Sequence, residues 1–275
     1  MLAPDGWSWV GADKSQIELR LYGDIAGVQA IIDEYAKGPY ADLHTQAARM
    51  MFGLGPNDLV SALQRQAGKP GNFGARTFGG GPNALINAAL SYGMLLEWDE
   101  AARLRDNLIL SDPEGTIWGR KMVEEVEEYG YLFTKTGHRR LFTSDTLQHK
   151  NIQTTARNTP IQGTAAGIMK ESIIGFYSWL ESRDYLDKVQ ILSTVHDELN
   201  SISVDSLVNE VQYNKARIMT ESINRYMDVI PGAVEVGSGE YWEKEYSNQK
   251  MCFIEKGKPT FYQEVGKEWE RINFN

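Results

Sequence analysis

Two short acidic segments, far apart in the chain, constrain the fold most strongly. Asp13 directly follows the apolar stretch Trp9-Val10-Gly11-Ala12, and Asp197 follows the largely apolar run from Val189 to Val195. A carboxylate at the end of an apolar run indicates a strand that ends at a polar site. Two such carboxylates brought together can hold two divalent cations about 4 Å apart, the arrangement that in-line phosphoryl transfer uses. The sequence therefore predicts a site for two metal ions.

A second pattern lies between the two acidic segments. Arg65, Lys69 and Phe73 are spaced by four, which places two cations and an aromatic ring on one face of a helix. Such a face suits a triphosphate clamp beside a platform for a base. Pro70 tends to kink or start a helix, so an alternative is that Arg65 and Lys69 lie on different faces.

Five ordered segments resemble the motifs of family A DNA polymerases, the type of bacterial repair polymerases and many bacteriophage replicases. The segments are Asp13 to Arg20, Arg65 to Gly74, Asn158 to Ala166, His196 to Glu198 and Val236 to Trp242. The resemblance covers roughly residues 1 to 245. It implies an α+β fold, with a polymerase palm of antiparallel sheet and helices and a mainly helical fingers insertion.

The resemblance also implies a division of the chain into domains. Residues 1–28 and 156–245 would form the palm, residues 29–155 the fingers, and residues 246–275 a C-terminal extension. Hydrophobic periodicity and turn residues predict the individual elements. The predicted helices span 28–36, 43–52, 121–129, 159–180 and 205–226, the nucleotide helix is capped at Asn57 or Asp58, a hairpin spans 131–142, and two strands span 189–203.

The predicted metal site follows from the resemblance. Asp13 and Asp197 would bind two Mg²⁺ ions, with Mn²⁺ as a possible substitute, together with the backbone carbonyl near Lys14. Lys14 stands where the family usually has an aromatic residue. Glu198 would support the site, and His196 would lie near the primer end.

The resemblance further implies a nucleotide site. Lys69 and Arg65 would neutralise the triphosphate, His44 would add a hydrogen bond, and Phe73 would pack on the sugar and base. Glu18 would act as a steric gate that excludes the ribose 2′-hydroxyl. The implied nucleotide-binding residues are Gln16, Glu18, His44, Arg65, Lys69 and Phe73. Thr77 stands where the family has a tyrosine, which leaves the template-base stacking position open.

Contacts to DNA are implied for another group of side chains. Gln162 would read the minor-groove edge, where acceptors occur at every base pair. The implied DNA-binding residues are Gln162, His196, Arg139, Arg140 and Asn158. Two capping alternatives remain open: Ser15-x-x-Glu18 is a capping box, and Thr159-Pro160-x-Gln162 is a typical helix start.

The charge distribution bears on DNA binding. The net charge of −9 is unfavourable for phosphate contacts, which need Lys and Arg. Two basic islands stand out locally. The islands are Arg65, Lys69 and Arg76, and then Lys135, Arg139, Arg140, Lys150 and Arg157. The alternative interpretation is that they are solvated faces of ordinary helices.

Location and partners are also predicted. The lone Cys252 excludes an intramolecular disulfide, and no apolar run approaches 18 residues, so a cytoplasmic protein without a membrane segment is expected. The resemblance accounts for no thumb or exonuclease domain, and a separate polypeptide is expected to supply them. That partner would cover an unpaired sheet edge near Trp7 to Val10 and part of the apolar tail.

The predicted activity is transfer of deoxynucleotides from dNTPs to a primer 3′-hydroxyl, directed by a DNA template. One alternative is a non-catalytic remnant that binds nucleic acid or a replication partner. Intact Asp13, Lys69 and Asp197 argue against it. Another is a related single-subunit RNA polymerase, which Glu18 disfavours because its side chain would exclude ribonucleotides.

Overall fold

The computed structural model describes residues 2–38, 41–91, 93–143, 152–243, 246–265 and 268–274. The chain divides into two compact units. The sheet unit comprises Met1–Ile17, Tyr35–Tyr40 and Ala165–Asn275. The helical unit comprises Glu18–Glu34 and Ala41–Thr164. One unit is mainly antiparallel sheet with helices and the other is mainly helical, so the predicted α+β class is confirmed.

The described helices and strands follow in chain order. The α-helices are α1 (Ile17–Ala26), α2 (Gln29–Tyr35), α3 (Leu43–Phe52), α4 (Ala62–Pro70), α5 (Pro82–Ser91), α6 (Trp98–Leu110), α7 (Pro113–Tyr129), α8 (Ile152–Ser182) and α9 (Val208–Asn224). A π-helix spans Gly71–Thr77, and a 3₁₀ turn spans Asp205–Leu207. The strands are β1 (Trp7–Lys14), β2 (Tyr131–Phe133), β3 (Arg139–Leu141), β4 (Val189–Val195), β5 (Glu198–Val204), β6 (Ala233–Gly239), β7 (Lys250–Glu255), β8 (Lys258–Val265) and β9 (Glu268–Ile272). Among the helices just named, none has both the length and the apolar composition to cross a bilayer.

The sheet unit is organised around a seven-stranded sheet in the order β4-β5-β1-β6-β7-β8-β9. Strand β1 pairs antiparallel with β5 on one side and with β6 on the other. The predicted unpaired edge near Trp7 to Val10 is therefore wrong. Those residues pair with segments about two hundred residues downstream, and that register cannot be deduced from local pattern.

The C-terminal extension continues this sheet. Strands β7, β8 and β9 follow β6 in antiparallel order. Phe253, Phe261 and Tyr262 are buried, and the rings of Phe261 and Phe274 pack on Tyr213 of α9. The prediction that these aromatic side chains face a partner is wrong, because the chain buries them itself. Cys252 is also buried there.

Helix α4 continues without a break into the π-helix. Pro70 has no N–H, and the hydrogen-bond register widens at the next residue. Glycines at 68 and 71 allow close packing, since a Cβ at Gly68 would overlap the His44 carbonyl oxygen and one at Gly71 the Met51 sulfur. Arg65 and Lys69 both lie within α4, so the alternative that Pro70 separates their faces is wrong.

Two predicted helix starts are also wrong. Helix α4 is capped by Ser61, which forms a capping box with Gln64, and not by Asn57 or Asp58. Helix α8 begins at Ile152, which places Thr159 and Pro160 in its interior. The Thr159 hydroxyl donates to the Thr155 carbonyl (2.8 Å) and caps nothing. Buried neighbours such as Ala156 hold the helix together despite the proline.

A buried ionic network ties the helical unit together. Arg76 Nε lies 2.9 Å from Asp112 Oδ2, with only 0% and 2% of the two side chains exposed. The Tyr22 hydroxyl donates to the same carboxylate (2.7 Å), and Arg157 Nη2 donates to the Arg76 carbonyl (2.6 Å). Arg76 and Arg157 are therefore structural, which corrects their place in the predicted basic islands.

Removing one partner of this pair should be costly. We expect Asp112→Ala to lower the free energy of unfolding by about 3–5 kcal/mol, because Arg76 would stay buried without a counter-ion. Asp106→Ala is the matched control, since the Asp106 carboxylate is exposed and its pair with Arg105 should contribute at most about 1 kcal/mol. Urea denaturation of both variants measures the difference, and equal losses would contradict the assignment.

Candidate active site

The first predicted metal ligand, Asp13, lies near the C-terminal end of β1, an interior strand of the sheet. In the β1 register, Asp13 lies opposite Glu198 of β5 and opposite Glu235 of β6. Residues paired in register point to the same face of a sheet. Asp13, Glu198 and Glu235 therefore form a row of three carboxylates across three strands, which we call the carboxylate row.

Asp197 adjoins this row through a tight hairpin. His196 and Asp197 connect β4 to β5, and His196 has a positive φ of 55°, as short turns often require. The Lys14 backbone N–H donates to the Asp197 carbonyl oxygen (3.2 Å). This contact fixes the turn beside the end of β1, so the structure brings together the two acidic segments that the sequence singled out.

The concentration of negative charge changes how these carboxyls titrate. Solvent still reaches Asp13, yet partial burial, followed by repulsion from Asp197, Glu235 and Glu198, raises the pKa of Asp13 to about 7. Burial also raises the pKa of Asp197. A divalent cation would relieve this repulsion, and carboxylate oxygens are the ligands that Mg²⁺ prefers.

Asp13 and Asp197 fit a divalent cation as a pair of ligands. This holds although, within the described ranges, no group of three or more His, Cys, Asp or Glu side chains is arranged as a metal site. Two carboxylates would suffice for Mg²⁺, because this ion usually keeps several waters and binds through one or two carboxylates plus substrate phosphates.

Sequence reasoning missed Glu235. It directly precedes the Val236–Trp242 motif. The only sequence feature that points to it is its place within the strand Ala233–Gly239. Only the register of β6 against β1 shows that it faces Asp13.

Lys14 points away from the carboxylate row. Its side chain is buried on the opposite face, where Nζ donates to the Met169 sulfur (3.1 Å). Burial lowers the pKa of Lys14 to about 8, although Asp197 and Asp13 oppose the shift. The lysine in place of an aromatic residue is thus accommodated inside the sheet unit, and only its backbone is available at the end of β1.

The predicted phosphate-binding residues gather in the helical unit. Arg65 Nε lies 2.9 Å from Asp42 Oδ2, and Asp42 also caps α3, the helix that carries His44. Burial, followed by the positive charges of Arg65 and Lys69, lowers the pKa of His44 to about 4. His44 is therefore neutral near pH 7, close to two cations that favour an anionic ligand.

Glu18, the predicted steric gate, contacts Gln162, the residue predicted to read the minor-groove edge. Gln162 Nε2 donates to Glu18 Oε1 (3.2 Å), which joins α8 to α1. Because α8 starts at Ile152, Gln162 closes no box with Thr159, and this capping alternative is wrong. In the sheet unit, the Tyr35 hydroxyl donates to Gln16 Oε1 (3.1 Å) and orients that side chain.

The other predicted DNA contacts are more scattered. Arg139 and Arg140 are exposed on β3, where their guanidinium groups lie over Tyr131 (5.5 Å) and Phe142 (5.6 Å). Asn158 is half-buried in α8. Lys135 pairs with the buried Asp24 (2.9 Å).

Three further positions named in the sequence analysis are Lys150, Phe73 and Thr77. Lys150 and the side chain of Phe73 lie outside what the structure describes, so the predicted stacking of Phe73 stays a prediction. Thr77 is buried, and its hydroxyl donates to the Asn72 carbonyl (2.8 Å), so it offers no ring for a template base.

Comparison with known proteins places the chain in a family. Residues 1–244 match the model of DNA polymerase family A, and the chain belongs to that family. It is 32% identical over 246 residues to a thermostable DNA polymerase I of Thermus thermophilus, covering 88% of this chain and 28% of that protein. It is 29% identical to DNA polymerase I of Pseudomonas aeruginosa, covering 89% of this chain and 26% of that protein.

A solved structure has a similar fold. It is described as the POL domain of Pol1 from M. smegmatis in complex with DNA primer-template and dNTP. The TM-score is 0.72 at 24% identity, and the match covers 88% of this chain and 41% of that chain. The present chain therefore spans about a quarter of the length of the two curated relatives and less than half of the solved domain.

Proposed function

We propose that this chain carries out template-directed DNA synthesis, transferring deoxynucleotides from dNTPs to a primer 3′-hydroxyl. The observation that supports the proposal most is the meeting of Asp13 with the His196-Asp197 turn at the end of β1. Membership of DNA polymerase family A agrees with it. The similar solved domain holds primer–template DNA and a dNTP, the ligands we propose for this chain.

In this proposal Asp13 and Asp197, with the backbone carbonyl of Lys14, hold two Mg²⁺ ions, or Mn²⁺. Bound there, the ions would supply charge stabilisation for the attacking and leaving oxygens. The contribution of the protein is to fix the carboxylates before the reaction, since β1, β5 and the hairpin turn hold them in register. Glu198 supports this arrangement from the adjacent strand.

Nucleotide binding is proposed for the cationic face of α4. Lys69 and Arg65 neutralise the triphosphate, and neutral His44 adds a hydrogen bond. Arg65 must exchange its contact with Asp42 for the phosphates. Gln16 and Phe73 complete the nucleotide contacts.

Selection of the sugar and of the base pair is proposed for two contacting residues. Glu18 occupies the space that a ribose 2′-hydroxyl would need. Gln162, already hydrogen-bonded to Glu18, donates to the minor-groove acceptors of a correctly paired primer–template. Asn158, His196, Arg139 and Arg140 are the further proposed DNA contacts.

We also propose that part of the grip on DNA comes from a separate polypeptide with thumb and exonuclease functions. The support is electrostatic: the net charge is −9, and the buried Arg76 and Arg157 are unavailable to phosphates. The isolated chain should then bind primer–template weakly, with affinity falling steeply between 50 and 200 mM salt, a range over which phosphate-dominated binding weakens by roughly 10³-fold or more. A titration at both salt concentrations measures this, and tight, salt-insensitive binding would contradict it.

The experiment that tests the proposed function is primer extension with this chain, alone and together with the polypeptide encoded beside it. We expect extension to require a divalent cation and to increase with the partner. Absence of extension in both mixtures, from a folded chain, would favour the non-catalytic alternative.

A further inference from the structure

Four residues that follow β6 in the chain lie on the face of the sheet that bears the carboxylate row. We call the residues Trp242, Tyr246, Asn248 and Gln249 the clasp. Asn248 attaches it to β6, because its Oδ1 accepts from the Ser238 backbone N–H (3.0 Å) and its Nδ2 lies 3.1 Å from the Ser238 hydroxyl. Tyr246 and the residues after it lie beyond the part of the chain that matches the family, 1–244.

The ring of Tyr246 lies against glycines of two strands. A Cβ at Gly11 would be 2.9 Å from Tyr246 Cε2, and a Cβ at Gly237 would be 2.5 Å from Tyr246 Cβ. A Cβ at Gly239 would lie 3.3 Å from the same ring. Side chains at Gly11 and Gly237 would displace the tyrosine and one at Gly239 would crowd it, so the glycines on β1 and β6 create the surface on which the ring rests.

The register places this ring next to the carboxylate row. Gly11 lies opposite Gly237, and Asp13 lies opposite Glu235. Residues two apart in a strand share a face, so each glycine adjoins the acid of its own strand. The Cβ position of Gly11 also lies 3.1 Å from Glu198 Oε1. Tyr246 therefore fills the layer directly beside the row, on the same face of the sheet.

Two other clasp residues hold the glutamates on either side of Asp13. Trp242 Nε1 donates to Glu198 Oε1 (3.0 Å), and Gln249 Nε2 donates to Glu235 Oε2 (2.6 Å). Gln249 is tied to Tyr246 through its backbone N–H, which donates to the Tyr246 carbonyl (3.1 Å). Each donor satisfies one carboxylate oxygen and limits how the glutamate can rotate towards Asp13.

We propose that Tyr246 is a positioning residue for nucleotidyl transfer, which sets the carboxylate row through its contacts with Gly11 and Gly237 and through its clasp neighbours. This inference rests on the proposed function. The contacts are made by carbon atoms of the ring and Cβ, so the ring carries the effect and the hydroxyl does not. The C-terminal extension is thereby part of the catalytic architecture.

The test compares Tyr246→Ala and Tyr246→Phe with Tyr262→Ala, a matched control that removes a buried tyrosine of the same extension far from Asp13 in the sheet order. Four quantities are measured on the full chain, with the proposed partner polypeptide present in the extension assay: kcat and KM for dNTP in primer extension, Mn²⁺ affinity by electron paramagnetic resonance, and the thermal midpoint. For Tyr246→Ala we expect kcat and Mn²⁺ affinity to fall roughly tenfold or more, with KM little changed. Tyr246→Phe should have the kcat and the Mn²⁺ affinity of the wild type. Tyr262→Ala should lower only the thermal midpoint.

A folded Tyr246→Ala variant with wild-type kcat and Mn²⁺ affinity would overturn the inference, as would equal losses in Tyr262→Ala. If Tyr246→Ala does not fold, Trp242→Phe and Gln249→Ala decide the matter by the same readouts, since each removes one donor to a flanking glutamate. A wild-type chain that neither binds Mn²⁺ nor extends a primer would instead contradict the proposed function itself.

Discussion

Replacing either Asp13 or Asp197 with asparagine should reduce nucleotide incorporation by about 10³-fold or more while the chain stays folded. A metal ion contributes several kcal/mol of transition-state stabilisation, and each 1.4 kcal/mol or so corresponds to a factor of ten in rate. Folding should not suffer, because Asp13 is repelled by Asp197, Glu235 and Glu198, and asparagine removes that repulsion.

Asp184→Asn is the control for this pair of variants. Asp184 lies in an exposed turn with a positive φ of 58°, a conformation that asparagine tolerates. Single-turnover incorporation measures the rates, and urea denaturation verifies the fold. A folded Asp13→Asn or Asp197→Asn variant that incorporates nucleotides near the wild-type rate would show that the two-metal assignment is wrong.

The second large effect concerns discrimination between deoxyribonucleotides and ribonucleotides. Glu18→Ala should reduce the preference for dNTPs over ribonucleotides on the order of 10²-fold, because it removes the bulk proposed to exclude the 2′-hydroxyl. Glu18→Gln is the matched control, since it keeps the volume and a hydrogen-bond acceptor for Gln162, and it should keep the preference. Incorporation of a matched dNTP and rNTP pair is compared for each variant.

The capping interpretation of Glu18 predicts a different result. If the side chain only stabilises the start of α1, Glu18→Ala should lose about 1 kcal/mol of stability and leave sugar discrimination unchanged. Measuring stability and discrimination on the same preparations separates the two interpretations. Unchanged discrimination in a destabilised variant would support the cap.

Much of the fold follows from local pattern. The run Val189 to Val195, the polar turn His196-Asp197 and the apolar segment after it predict a strand pair, which the structure confirms as β4 and β5. Leu43–Phe52 and the hairpin from Tyr131 are likewise confirmed, because period and turn residues agree there. In these segments each local preference favours the structure that forms.

The rest depends on contacts between distant segments. Neither the alignment of Glu235 with Asp13 nor the place of Tyr246 beside Gly11 has a local signal, since both depend on strand register. Burial of Arg76 also depends on tertiary contacts, because its partner Asp112 lies 36 positions away. Charge counting along the sequence could not separate this structural arginine from the half-exposed Arg65.

Single-nucleotide incorporation on four templates that differ in the first unpaired base tests directly whether this chain copies a DNA template. Each template is offered each dNTP separately, with Mg²⁺ and with the proposed partner polypeptide present. We expect only the complementary dNTP to be added on each template, with release of pyrophosphate, and Asp13→Asn to slow all four reactions strongly. DNA binding without incorporation on any template, or incorporation that ignores the template base, would contradict this expectation.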